Sequence, residues 1–466
     1  MTGFRSVTAA LFLVVALLAG CAHYPPNDPL TAHRPDGGYR FGENPAGTNT
    51  NSLFVCLAFS GGGTRAAALS YGVLEKLRDT RIRWKGVEKR LLDEVDCISS
   101  ISGGSFTAAY YGLFGERLFS DFRPRFLDRN IQSELVWQVA NPLNWFRLAS
   151  PTFSRIDLAA ELYDETVFDN RRFADLPPRE RGPFVMINAT NLVNGGRFEF
   201  TQDEFDLLGS DLATYPVARA VAASSAFPFL LSPVSLINHP APPGYTPPRD
   251  LTNALNDYGT NRRRYQWARD RIAYLDKEAR PFVHLMDGGL ADNIGLRGVE
   301  SAYQRSSGRI NRLINDGAIE KLVIIIVNAR TEDQDSLSSD ESPPGLKTVA
   351  FKTATISLDN YSFETVEFMK ELRRERVQAE KNLAACQERL DRCPGSPPLP
   401  TFTAPLDPYV VEVNFEALPD PDRRRQFLSL PTSFSLTRQQ IDDLIGVSGE
   451  LLDSSADFRA LLQGLQ

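Results

Sequence analysis

At 466 residues, with 42% hydrophobic and 23% charged side chains, the chain has ordinary globular composition and enough apolar residues to bury a sizeable core. Its 51 Lys and Arg stand against 58 Asp and Glu, a formal charge of −7. That balance disfavours nucleic acid as a partner and argues against Coulombic attraction to anionic lipid.

The first 20 residues differ from the rest. Arg5 precedes an apolar run from Val7 to Gly20 that is too short to span a bilayer comfortably and ends in small residues, the pattern of a secretory signal. Leu18 to Cys21, "LAGC", resembles a bacterial lipobox, which implies cleavage before Cys21 and lipidation of its thiol. With Ala22 in place of Asp after the cysteine, the resemblance implies the outer membrane of the cell envelope, facing the periplasm. Stable anchoring takes two acyl signals or more, which a diacylglycerol and an N-acyl chain would supply. Loss of residues 1–20 removes Arg5 and no acidic residue, leaving 50 basic against 58 acidic side chains, a charge of −8. Residues 21–52, rich in Pro, Gly, Asn and Thr, read as a flexible tether. The ordered domain, 53–466, is expected to start near Leu53.

From there, short apolar runs alternate with helix-period segments. Strands are expected at 53–59, 94–101, 184–192, 281–287 and 321–329, with another in "YVVEVNFEAL". Their near-continuous Val, Ile and Leu content suits strands covered on both faces. Helices are expected at 65–78, 104–114, 156–167, 216–226 and roughly 362–392. The alternation predicts a three-layer αβα fold around a mostly parallel sheet. Two inserts interrupt it, at about 238–280 and 331–408. Cys56 and Cys97 sit in strand-like runs and read as buried small hydrophobes. Cys386 and Cys393 share a polar segment, where a disulfide is plausible if the helix ends between them. Neither a CxxC nor a His/Cys cluster is present, so no metal or other cofactor is expected.

Three short motifs carry chemistry. "FSGGGTRAA" (Phe59 to Ala67) runs a strand into three glycines and then a helix, so that backbone N–H groups converge where a negative oxygen is stabilised. Gly61, Gly63 and Ala66 also fit a dinucleotide fingerprint, which keeps an oxidoreductase reading open. "DCISSISGGSF" (Asp96 to Phe106) holds four serines. A nucleophile elbow needs small residues two before and two after the nucleophile; only Ser102 has them, with Ser100 before it and Gly103 and Gly104 after it. "HLMDGGLADN" places Asp287 at a strand end before Gly288 and Gly289. Of the four histidines, His23 and His33 lie in the tether and His239 in a Pro-rich loop. His284 should face away from Asp287 on its strand. A hydrolase here therefore needs a Ser-Asp dyad. Two weaker signals read as structural: the Trp137, Trp145 and Phe146 stretch as core packing instead of a lid, and the arginines at 262–264, 269 and 271 as a solvated helix face.

The order GGGTR, SISGG, DGG resembles patatin-like phospholipases. "YPVARAVAASSAFPFLLSPV" (Tyr215 to Val234) and "LPTSFSLTRQQIDDLIGVSGELL" are also similar to segments of that family. Ser100 departs from the family's first elbow glycine and Ala66 from the last glycine of its loop. The resemblance implies a serine acyl hydrolase of phospholipid or related lipid esters, with Ser102 as nucleophile and Asp287 as general base. It implies an oxyanion hole from Gly61, Gly62 and Gly63, with Arg65 near it or near a substrate phosphate. A non-catalytic lipid-binding or envelope-assembly lipoprotein on the same fold is the alternative.

Overall fold

The computed structural model describes residues 22–41, 49–50, 52–177, 182–304, 308–332, 341–393 and 407–465. The expected signal segment and Cys21 therefore lie outside the described residues. Eight strands build the main sheet: β1 (Leu53–Phe59), β2 (Val95–Ile101), β3 (Phe184–Asn191), β4 (Arg197–Glu199), β5 (Val234–Ile237), β6 (Phe282–Asp287), β7 (Lys321–Asn328) and β8 (Asp407–Asn414). Their order is β8-β7-β1-β2-β3-β6-β5, with β4 paired to β3. The five strands from β8 to β3 run parallel, while β4, β6 and β5 make antiparallel pairs at one side.

Strand periodicity divides the apolar residues between two cores. Leu53, Val55, Leu57 and Phe59 of β1 face one core with helices α1 (Gly63–Asp79), α2 (Gly103–Phe114), α3 (Arg155–Thr166) and α4 (Val217–Ser224). Phe54, Cys56 and Ala58 face the other, with α5 (Leu296–Gln304) and part of α6 (Leu346–Leu390). A C-terminal helix, α7 (Arg438–Ser454), packs on α1, where Ser448 Oγ donates to the Leu69 carbonyl at 3.0 Å. The arrangement is the expected three-layer αβα fold.

Three expectations change. Residues 22–41 are not a free tether: Tyr24 and Asn27 are buried, Pro29 bridges to Ser210, and Tyr39 Oη donates to the Val185 carbonyl at 3.1 Å. Proline and glycine there shape a strap that packs on the domain. The long helix begins at Leu346, earlier than its charged half suggested. Cys56 and Cys97 are disulfide-bonded, whereas Cys386 and Cys393 are free and exposed. Parallel β1 and β2 put Cys56 and Cys97 in register, with Cα atoms 4.7 Å apart, inside the range a disulfide requires. A linear reading could not see that pairing. Non-reducing peptide mapping should recover Cys56 and Cys97 in one cross-linked species and find Cys386 and Cys393 open to alkylation. A Cys386–Cys393 species would contradict this.

Candidate active site

Strand β2, buried along its whole length, stops at Ser102, which takes φ 48° and ψ −119°. A non-glycine residue held there costs about 1–3 kcal/mol, and surrounding contacts must hold it. The Ser102 N–H donates to Ser224 Oγ at 2.9 Å, and the Gly104 N–H donates to the Ser60 carbonyl at 3.2 Å. A Cβ on Gly103 would collide with the Gly63 carbonyl, and one on Gly104 would lie 2.7 Å from the Ser60 carbonyl. Both glycines are therefore fixed by close packing of the elbow on the glycine loop.

Ser102 Oγ donates to Asp287 Oδ2 at 2.9 Å, so the structure brings together the two residues that the motifs singled out. Asp287 reaches Ser102 from the antiparallel side of the sheet. Its strand runs antiparallel to β3 and ends level with Ala189, one residue past the Ile101–Asn188 pair of β2 and β3. Its other oxygen, Oδ1, accepts the Gly289 N–H at 2.8 Å, and its backbone N–H donates to the Ala226 carbonyl at 3.1 Å. A Cβ on Gly288 would collide with the Asn188 carbonyl, so that glycine too is required. Burial pushes the Asp287 pKa up to about 6, against the opposing hydrogen bonds from Gly289 and Ser102.

The other serines of the elbow form its support. Ser100 Oγ donates to the Met186 carbonyl at 3.1 Å, Ser105 Oγ donates to Ser100 Oγ at 3.1 Å, and Ser105 and Ser224 hydroxyls lie 3.0 Å apart. Ser224 Oγ in turn donates to the Asn188 carbonyl at 2.7 Å. Ser100, Ser105 and Ser224 are fully buried. Ser100 thus departs from glycine to place a hydroxyl in this chain. Sequence reasoning missed the roles of Ser224 and Asn188; the paired serines of "AVAASSAF", polar in an apolar helix, were the available signal.

The glycine loop differs from expectation at Gly61. The Gly61 N–H donates to the Asn293 carbonyl at 2.9 Å, so that donor is already engaged, and Gly62 and Gly63 are left as the candidate oxyanion donors. Arg65 lies against the loop, with Nη2 3.0 Å from where a Cβ on Gly62 would sit. It is buried, and its guanidinium donates to the Ala329 carbonyl at 2.8 Å, the Leu430 carbonyl at 2.8 Å and Thr432 Oγ1 at 3.0 Å. The same C-terminal segment covers the start of α1: the Thr64 N–H donates to the Ser433 carbonyl at 2.9 Å, and a Cβ on Gly63 would collide with that oxygen. The Thr64 and Gly61 N–H groups that a pyrophosphate would need are thus already engaged, which disfavours the dinucleotide reading.

The histidines are engaged elsewhere. His284 Nδ1 pairs with Ser235 Oγ at 2.8 Å and His239 Nε2 with the Asn27 carbonyl at 2.8 Å. His33 contacts Asp206 at 3.3 Å and His23 the Tyr24 carbonyl at 2.6 Å. Among the described residues, no group of three or more His, Cys, Asp or Glu side chains gathers as a metal set. Within the basic cluster, Arg264 pairs with Asp250 and Asp257, and Arg271 with Glu204 and Glu199, so these two arginines are structural. The Trp137, Trp145 and Phe146 stretch, expected in the core, is exposed.

The model of the family described as patatin-like phospholipase matches residues 57–299, which span both Ser102 and Asp287. The chain belongs to that family. Among solved structures, a human GIVD cytosolic phospholipase A2 is 15% identical with a TM-score of 0.45. The match covers 89% of this chain and 62% of that one, so the chain spans less than two thirds of its length. VipD from Legionella pneumophila is 13% identical with a TM-score of 0.28, covering 86% of this chain and 67% of the other. No curated protein sequence matches the chain.

Two outcomes follow from the geometry. Replacing Arg65 by Met strips donors from two buried carbonyls and a hydroxyl and should lower unfolding free energy by roughly 2–4 kcal/mol in urea titration; a residue that only contacted substrate would leave the midpoint unchanged. Asp287 has a folded pKa of about 6, above the ordinary aspartate value of 3.8. It adds stability below pH about 4, and that contribution is lost as pH rises through about 6. Asp287→Asn should therefore be more stable than the native chain at pH 8, by up to about 3 kcal/mol, with the gain fading below pH about 4.

Proposed function

We propose that the chain is a serine acyl hydrolase that cleaves ester bonds of phospholipids or related lipids through an acyl-enzyme. The observation that carries this reading is the 2.9 Å hydrogen bond from Ser102 Oγ, on a strained strand-to-helix turn, to buried Asp287. As Oγ attacks the ester carbonyl, Asp287 takes its proton and the carbonyl oxygen becomes an oxyanion. Backbone N–H groups of Gly62 and Gly63 stabilise that charge; one such donor is worth about 3 kcal/mol. Collapse of the intermediate breaks the ester C–O bond, and Asp287 returns the proton to the leaving alcohol. Water, deprotonated by the same carboxylate, then releases the fatty acid and restores Ser102.

A carboxylate is a weak base at its ordinary pKa, and burial raises Asp287 toward the working pH range. Family membership supports the lipid ester as substrate class. The lipobox-like "LAGC" supports a chain lipidated at Cys21 and held at the outer membrane, facing the periplasm.

A fluorophosphonate probe should label the native chain and leave Ser102→Ala unlabelled. Ester hydrolysis should fall at least a thousandfold in Ser102→Ala, and the native rate should climb through a limb near pH 6 as Asp287 ionises. Equal labelling of both proteins would reassign the nucleophile. A native chain inert on every ester would favour a lipid-binding role.

A further inference from the structure

Two short helices, Ile131–Ala140 and Pro142–Leu148, lie between α2 and α3. Between Glu134 and Arg147 they carry no charged residue. Val136, Trp137, Leu143, Trp145 and Phe146 point outward, with Trp137 74%, Leu143 76% and Trp145 58% exposed. Apolar surface concentrated in this way marks an interaction site. Its polar groups are satisfied internally. The Asn144 side chain donates to the Gln138 carbonyl at 2.8 Å, Asn141 Oδ1 accepts the Leu143 N–H at 3.1 Å, and the Trp145 indole N–H donates to the Val139 carbonyl at 3.1 Å. The pair is a built apolar surface, and Trp is the side chain suited to a membrane–water boundary.

The N-terminal strap begins at the same corner. The Ala22 carbonyl accepts Ser150 Oγ at 2.5 Å and Thr152 Oγ1 at 3.1 Å, and the Tyr24 N–H donates to the Thr152 carbonyl at 2.8 Å. Ala22 is therefore pinned just past the second apolar helix. In the sequence, Cys21 directly precedes Ala22. Next to it, Arg155 Nη1 reaches the Phe229 carbonyl at 3.4 Å. Phe229 is 67% exposed at φ 70° and Leu230 is 51% exposed, five and six residues beyond the elbow-supporting Ser224.

We propose that this corner is the membrane-facing surface of the protein: the Val136–Phe146 face, together with exposed Phe229 and Leu230, seats in the interface of the lipid bilayer in which Cys21 is anchored. The two features point to one occupant, because Cys21, the expected lipid attachment point, directly precedes Ala22, which the body holds beside the tryptophan-bearing helices. The formal charge of −7 leaves apolar burial, not Coulombic attraction, as the driving force. Docking itself is independent of the hydrolase reading; only the delivery of bilayer lipid to Ser102 rests on it.

The full chain, reconstituted in phosphatidylcholine vesicles with brominated acyl chains, tests the surface directly. Residues 1–21 contain no Trp, so quenching reports on the folded body alone. Bromine should quench the native emission, the quenching should survive added salt, and Trp137→Phe with Trp145→Phe should abolish it. A chain that stays on the vesicles with unquenched emission would overturn the proposal, as would quenching unaffected by the two substitutions. In the second arm, Trp137→Ser with Leu143→Ser and Trp145→Ser should slow hydrolysis of vesicle phospholipid at least tenfold and leave the rate on a soluble short-chain ester unchanged. Equal loss on both substrates would speak against docking. Absence of hydrolysis on either substrate would sink the enzyme reading while leaving the quenching result intact.

Discussion

The contact between Ser102 and Asp287 links residues 185 positions apart and requires the surrounding fold to hold two costly features together. One is a serine backbone at φ 48°; the other is a carboxylate withdrawn from water. Neither persists alone. The turn is held because Ser224 takes the Ser102 N–H and because the glycine loop presses against Gly103 and Gly104. The carboxylate is held because the Gly289 N–H and the Ser102 hydroxyl replace part of its lost hydration.

The same constraint explains why the C-terminal segment belongs to the domain. Leu430 to Ser433 accept hydrogen bonds from Arg65 and from the first turn of α1, which fixes the glycine loop from behind. The loop then stands rigidly beside the elbow. The Arg65 guanidinium, beside Gly62, ties the position of the C-terminal segment to that of the loop. Preorganisation of this kind matters because oxyanion donors act only where they are already aimed.

Around that rigid centre, the first described residues and the apolar helices 131–148 share one corner. A body with its N-terminal strap pinned at Ala22 has a defined face toward anything in which the preceding segment is embedded. A long flexible tether would have left that orientation free.

The sequence by itself determined the αβα order and the bounds of five strands to within a residue, while the short strands Arg197–Glu199 and Val234–Ile237 went unseen. It also singled out Ser102 and Asp287 as the pair the fold brings together. It could do so because strand burial, elbow sterics and strand-end glycines are local rules written within about ten residues. What depended on distant neighbours was decided only by the tertiary structure. Register across β1 and β2 paired Cys56 with Cys97, and the antiparallel course of β6 brought Asp287 to Ser102. Partners hundreds of positions away turned Arg65 inward and engaged the Gly61 N–H. The apolar tryptophan stretch looked like core by composition, yet no neighbouring layer covers it among the described residues. Burial is a property of what packs against a segment, and periodicity along the chain carries no record of that.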